Sequence, residues 1–194
     1  QYKTYFPQEH FVEQRPMDWW DHVCAATKKL LVTSGSPASD IACVALSGHS
    51  LVAVPLDSRG SLLADQVPIW CDMRAKAEEL FSRLDYDSWY MTTGNGDPAE
   101  CYTVAKLMWM KKHQPVLYRQ IHKILGSKDF INYMLTGTIC TDPSYASGFG
   151  VFNLLKWDYE QEYMEAAGIR PELFPEIRPS DAIIGTVTPE AARM

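Results

Sequence analysis

Six consecutive apolar residues, Ile41-Ala42-Cys43-Val44-Ala45-Leu46, run straight into the small polar group Ser47-Gly48-His49-Ser50. An apolar run without alternation leaves no polar face, so it reads as a strand buried on both sides, as found inside α/β sheets. Its abrupt polar end then falls at a carboxyl edge of the sheet, where ligands of such folds bind. His49 there can donate to, or accept from, a hydroxyl. The plainer reading of the same residues is a tight turn between two strands, with His49 merely exposed.

Helical and extended patterns interleave around that run. Tyr2–Phe6 reads as a short strand. Pro16 opens a helix in which Trp20, Val23, Cys24, Thr27, Leu30 and Leu31 recur at helical spacing, and Ser34-Gly35-Ser36-Pro37 ends it. Leu51–Leu56 is a second strand, followed by the turn Asp57-Ser58-Arg59-Gly60. Asp72 is a candidate cap for a helix carrying Ala77, Leu80, Phe81 and Leu84. Val104, Leu107, Met108 and Met110 mark a helix ending near His113, and Pro115 opens another. Ile124-Leu125 is a short strand, Ser127 a candidate cap for Asp129–Leu135, and Gly137 its stop. Tyr159–Ala167 reads as a helix. Thr188-Pro189 looks like a cap and a first-turn proline, and the chain ends one turn later. The class is α/β, a mixed sheet with flanking helices, expected to be incomplete at both ends. The chain opens without an initiator methionine, so a longer natural protein is expected.

Composition excludes several functions. With 194 residues, 46% of them hydrophobic and 22% charged, the chain can bury a core. The net charge is −6 and the basic residues are dispersed, so nucleic acid is not an expected partner. No apolar run is long enough for a membrane span. Five cysteines without paired spacing, Cys24, Cys43, Cys71, Cys101 and Cys140, fit reduced thiols and a cytoplasmic location. No metal site is expected.

Two further segments carry candidate chemistry. In Trp70-Cys71-Asp72-Met73-Arg74, a carboxylate and a guanidinium lie two residues apart beside an aromatic. Charged groups make directed hydrogen bonds to hydroxyls, and an indole can cover the apolar face of a sugar. The alternative is a cap, a core tryptophan and a surface arginine. Gly94-Asn95-Gly96-Asp97-Pro98 is glycine-rich, but lacks the spacing and the Lys-Ser/Thr ending of a phosphate loop, so it reads as a plain loop. Scattered histidines support neither a triad nor zinc. Trp19, Trp20, Trp89, Trp109 and Trp157 read as core.

Several segments, in order, resemble FGGY-family carbohydrate kinases. They are Phe11–Trp20, with its Glu-Gln and Trp-Trp; Ile41–His49, a strand ending in Ser-Gly; Pro68–Ala75, with Trp-x-Asp-x-Arg; Lys128–Gly137, ending in Leu-Thr-Gly; Thr141–Ser147; Leu173–Ile177; and Ile184–Thr188. The resemblance implies the N-terminal sugar-binding domain over residues 1–194, of the actin-like ATPase or ribonuclease-H-like type, with the C-terminal ATP-binding domain absent from this chain. It implies transfer of the γ-phosphate of ATP, with Mg²⁺, to a terminal hydroxyl of a ketose (a pentulose such as xylulose) or a polyol. It places Ser47, Gly48, His49, Ser50, Trp70, Asp72, Arg74, Cys101 and Tyr102 at the substrate. The non-enzymatic alternative is a sugar-binding or regulatory domain that kept the fold and lost the chemistry.

The sequence departs from the family pattern in places. His49 stands where xylulokinase-like members carry Gln, and Ser50-Leu51 where they carry Met-His. The opening phosphate-binding turn and the later base-bearing segment have no counterpart. No catalytic residue is therefore assigned, the base being expected outside this chain, and no cofactor is expected tightly bound. The sugar is the expected partner and a homodimer a candidate assembly. A missing opening hairpin would leave a sheet edge unpaired, so self-association of the isolated chain is expected.

Overall fold

The computed structural model describes residues 2–194. In chain order the elements begin with β1 (Glu13–Gln14), α1 (Pro16–Ser34), β2 (Val54–Leu56), β3 (Val67–Pro68), α2 (Ala77–Phe81) and α3 (Tyr86–Thr93). Then come α4 (Thr103–His113), α5 (Pro115–Gln120), β4 (Lys123–Leu125), α6 (Ser127–Thr136), β5 (Cys140–Thr141) and α7 (Pro143–Ala146). The last are β6 (Phe152–Asn153), β7 (Asp158–Tyr159), α8 (Gln161–Ala167), β8 (Glu176–Ile177) and α9 (Pro189–Arg193). The ladders are two strands wide. Pairs β1–β3, β2–β4 and β6–β7 are antiparallel, and β5–β8 is parallel. Mixed strand directions flanked by helices are what the sequence implied.

The β2–β4 ladder divides the core. Val52, Val54, Leu56 and Leu125 pack with Trp19, Trp20, Val67, Ile69 and Phe130. Ala53 and Ile124, one residue out of phase, pack on the other side with Trp89, Leu107, Phe149 and Leu173. Alternate residues of a strand point to opposite faces, so Val52–Leu56 is the segment buried on both faces. The run Ile41–Leu46, expected in that role, forms no strand. Ile41 is 49% and Val44 56% exposed. No described segment pairs with it, so its peptide groups lack the ladder that would make burial favourable. An apolar, extended, unpaired segment is a template for strand pairing. Light scattering behind size-exclusion chromatography should therefore show concentration-dependent self-association of this chain, suppressed by Val44→Lys. A wild-type monomer at high concentration would count against that expectation.

Local signals placed the helix ends. Gly35 (φ 67°) and Gly137 (φ 72°) close α1 and α6 in the left-handed conformation that glycine adopts without penalty. Thr188 Oγ1 accepts from Ala191 N at the start of α9. Helix α3 was not anticipated, although Asp85 caps it by accepting from Ser88 N.

Other expectations are corrected. Tyr2–Phe6 is reduced to a single bridge, Tyr5 to Glu13. Asp72 does not cap α2, which starts after Lys76, because its carboxylate is engaged elsewhere. Ser127 is the first residue of α6 rather than its cap, and its hydroxyl points out to His49 O. Trp157 is not core: it sits at the turn between β6 and β7, 67% exposed, with φ 57°.

Candidate functional site

Residues 47–51 form a turn clamped from three sides. Gly48 leaves no room for a side chain, since a Cβ there would lie 2.6 Å from Ser127 Oγ and 3.2 Å from Lys128 N. The carbonyl of His49 accepts from Ser127 Oγ at 2.7 Å and from the hydroxyl of Tyr145. Burial pushes the Tyr145 phenol up to about 12. It therefore stays protonated as a donor. The His49 ring packs edge-on against Trp19 at 5.3 Å. Burial, aided by the positive charge of Lys106, lowers the His49 pKa, and its Nε2 is buried without a partner among the described residues. Ser47 and Ser50 are exposed. Leu51 holds φ 63°, a left-handed backbone that costs a residue with a Cβ about 1–2 kcal/mol.

The clamp depends on Gly126, where a Cβ would lie 1.8 Å from the Tyr145 ring. Gly126→Ala should destabilise the protein by about 3 kcal/mol through overpacking, measurable by urea denaturation. A loss under about 1 kcal/mol would mean that the ring moves aside freely.

The Trp70–Arg74 segment is built differently from a simple open cleft. Asp72 is fully buried. Its Oδ2 accepts from Val12 N and from an Arg74 terminal nitrogen, each at 2.7 Å, and its Oδ1 accepts from Arg74 Nε at 2.8 Å. The same terminal nitrogen of Arg74 donates to Glu13 Oε1 at 2.5 Å. The Arg74 guanidinium lies 3.9 Å from the centre of the Phe11 ring and 4.9 Å from that of Trp109. The buried arginine is thus held by two carboxylates and lies against two aromatic rings. Trp70, by contrast, is 54% exposed and presents its indole to solvent.

The third segment, 94–102, is a loop up to Pro98, as expected, and then makes one 3-10 turn, Ala99–Cys101. Buried Cys101 directs its thiol at Pro98 O, 2.9 Å away. Tyr102 accepts from Gly96 N at 3.1 Å and packs against Trp89. Burial pushes both the Cys101 thiol and the Tyr102 phenol up.

These three segments meet at Lys106, a residue the sequence reading passed over. Helical periodicity selected its apolar neighbours on α4 and left the lysine unassigned. Its side chain is fully buried, and Nζ donates to Leu51 O and to Cys101 O, each at 2.5 Å. Asp72, Arg74, Cys71 and Cys101 are close enough to act on its charge, and burial lowers its pKa to about 8. Thr103, one turn earlier, donates from Oγ1 to Val52 O. Leu51, Cys101 and the Cys71–Arg74 segment are thus brought close to one buried lysine. Asp72, Arg74, Cys101 and much of Tyr102 lie beneath the surface, while Ser47, Ser50 and Trp70 lie at it.

All of residues 1–194 match the N-terminal domain of the FGGY family of carbohydrate kinases. The chain belongs to this family. The FGGY relatives include the xylulose kinase of Staphylococcus xylosus, 29% identical over 96% of this chain and 38% of that protein. The glycerol kinase of Thermococcus gammatolerans is 28% identical over 95% of this chain and 38% of its own length. Among solved structures, the xylulose kinase of Rhodospirillum rubrum superposes with a TM-score of 0.89 at 30% identity, over 99% of this chain and 39% of that one. The fold is thus the actin-like, ribonuclease-H-like fold of FGGY kinases. The chain spans less than two-fifths of the length of these relatives. Among the described residues, no helix is long and apolar enough to cross a membrane.

Proposed function

We propose that the protein supplies the sugar-binding part of an ATP-dependent carbohydrate kinase acting on a ketose, a pentulose such as xylulose, or a polyol. The observation that supports this most is the meeting of Leu51, the Cys71–Arg74 segment and Cys101 around one buried lysine, in a chain of the FGGY family. ATP with Mg²⁺ would supply the transferred γ-phosphate. Among the described residues, no group of three or more His, Cys, Asp or Glu is placed to hold a metal ion. The part assigned to this chain, as a match to the family's N-terminal domain, is to bind and orient the sugar.

Trp70 covers the apolar C–H face of the sugar. The exposed hydroxyls of Ser47 and Ser50 offer hydrogen bonds to those of the sugar, Gly48 lets them approach, and the buried Nε2 of His49 becomes available only if its ring turns outward. Asp72 and Arg74 reach a hydroxyl only by exchanging a bond they already make, so their first task is to tie the segment that follows Trp70 to Val12 and Glu13. Cys101 and Tyr102, engaged with Pro98 O and Gly96 N, support the loop beneath the surface. Holding the sugar still lets its terminal hydroxyl meet the phosphate in line, and such positioning is a large part of phosphoryl transfer. We place the protein in the cytoplasm, where its five free thiols remain reduced.

Calorimetric titration with a panel of pentuloses, hexuloses and short polyols tests this reading. Saturable binding of one sugar is expected, weakened about tenfold by Trp70→Ala, equivalent to about 1.4 kcal/mol. Absence of binding by the folded full-length protein would refute it. Sugar binding without turnover there would instead favour a non-catalytic sugar-binding role.

A further inference from the structure

We propose that Lys106 is a positioning residue that braces the Ser47–Leu51 turn against the Gly94–Tyr102 loop and so sets the protein's affinity for sugar. The inference rests on the sugar-kinase reading above for its effect on affinity, but not for the brace itself.

Lys106 is fully buried, in a helix whose neighbouring positions Thr103, Val104, Ala105 and Leu107 are buried too. An ammonium in such a place is costly unless its protons are used. Two of them go to backbone carbonyls from segments on either side of the candidate site: Leu51 O, 55 positions away in sequence, and Cys101 O, five positions away. Leu51 is also the residue in the left-handed conformation. A Cβ at Gly148 would sit 3.1 Å from its side chain, so the residue is confined from both ends. Among the groups facing Lys106 are Asp72, Cys71, Cys101, Arg74 and His49, which come from every segment of the site. A charged lysine has three N–H donors and a neutral amine two. Both forms satisfy the two carbonyls, so the brace persists when the group titrates. Thr103 holds the next carbonyl, Val52 O, but does not touch the 94–102 loop.

The test uses the full-length protein and Lys106→Met, which keeps the aliphatic length and removes every donor. Hydrogen exchange should quicken in residues 47–51 and 94–102 together, and not in α6. The KM for the preferred sugar should rise about tenfold while the KM for ATP stays unchanged. Thr103→Val should leave exchange in the 94–102 loop at the wild-type rate. An unchanged sugar KM in Lys106→Met, or faster exchange in one segment only, overturns the proposal. If the wild-type protein phosphorylates no sugar, the kinase reading falls and the exchange result alone decides the brace. Should Lys106→Met fail to fold, Lys106→Gln, with a shorter side chain that still carries donors, must show the same two-segment change in smaller degree, or the proposal is wrong.

Discussion

Replacing Asp72 with alanine should destabilise the protein by about 3–5 kcal/mol, the range seen when one partner of a buried ion pair is removed. The reason lies in what stays behind. Val12 N loses its acceptor, and Arg74 loses both Asp72 oxygens while its guanidinium remains between Phe11 and Trp109 with Glu13 alone. Total stabilities of about 5–15 kcal/mol make such a loss enough to bring a domain close to unfolding. Asp72→Asn keeps the shape but turns an amide N–H₂ toward groups that are themselves donors, so it should also be severely destabilised. The double variant Asp72→Ala, Arg74→Leu removes the stranded charge and should be less damaging than the sum of its parts. Urea denaturation of the wild type, Asp72→Ala, Arg74→Leu and the double variant measures this cycle. Strict additivity, or a loss under about 1 kcal/mol for Asp72→Ala, would show that water reaches the pair. Lost sugar binding in Asp72→Ala would therefore report the fold, which is why Trp70→Ala is the better probe of ligand contact.

A second large effect is expected for Trp89→Ala, a loss of about 3–5 kcal/mol. Trp89 is fully buried, its Nε1 donates to Gly150 O at 2.8 Å, and the rings of Phe81, Tyr86 and Tyr102 lie with centroids 5.2, 5.9 and 5.5 Å from its own. Truncation leaves a cavity and an unpartnered carbonyl. Trp89→Phe keeps an aromatic ring but drops the donor, and should cost roughly half as much. The effect bears on the site because Tyr102 packs on this indole and anchors Gly96. Chemical denaturation gives the stability loss, and proteolysis between Gly94 and Tyr102 should quicken in the alanine variant. Equal losses for Ala and Phe would assign the effect to the hydrogen bond rather than to packing.

Particular residues show how much of the site was legible beforehand. The ordered motifs from Phe11 to Thr188 led to the FGGY family, and that family match holds along the whole chain. Gly48 and Trp70 were singled out from their chemistry, and the structure gives them close backbone approach and an exposed ring. Asp72 and Arg74 were read as a hydroxyl-binding pair two residues apart. Their mutual bonds, and the bond to Glu13, were not visible, because Glu13 lies 61 positions away from Arg74. Lys106 was passed over because a lysine on a helix is nearly always solvated.

The sequence by itself determined the features whose causes are local. Glycine at positions 35 and 137 ends a helix because a Cβ would be penalised there, and Thr188 starts one because its oxygen reaches a free amide. The tertiary structure alone decided which apolar run became the buried strand. Ile41–Leu46 and Val52–Leu56 are similar in character, yet only the second has a partner, β4, to satisfy its peptide groups. Burial of a strand follows from the neighbour that completes its hydrogen bonds, and no property of the strand's own residues supplies that neighbour. The same holds for Lys106, whose charge is tolerated in the core because two carbonyls from separate segments converge on it.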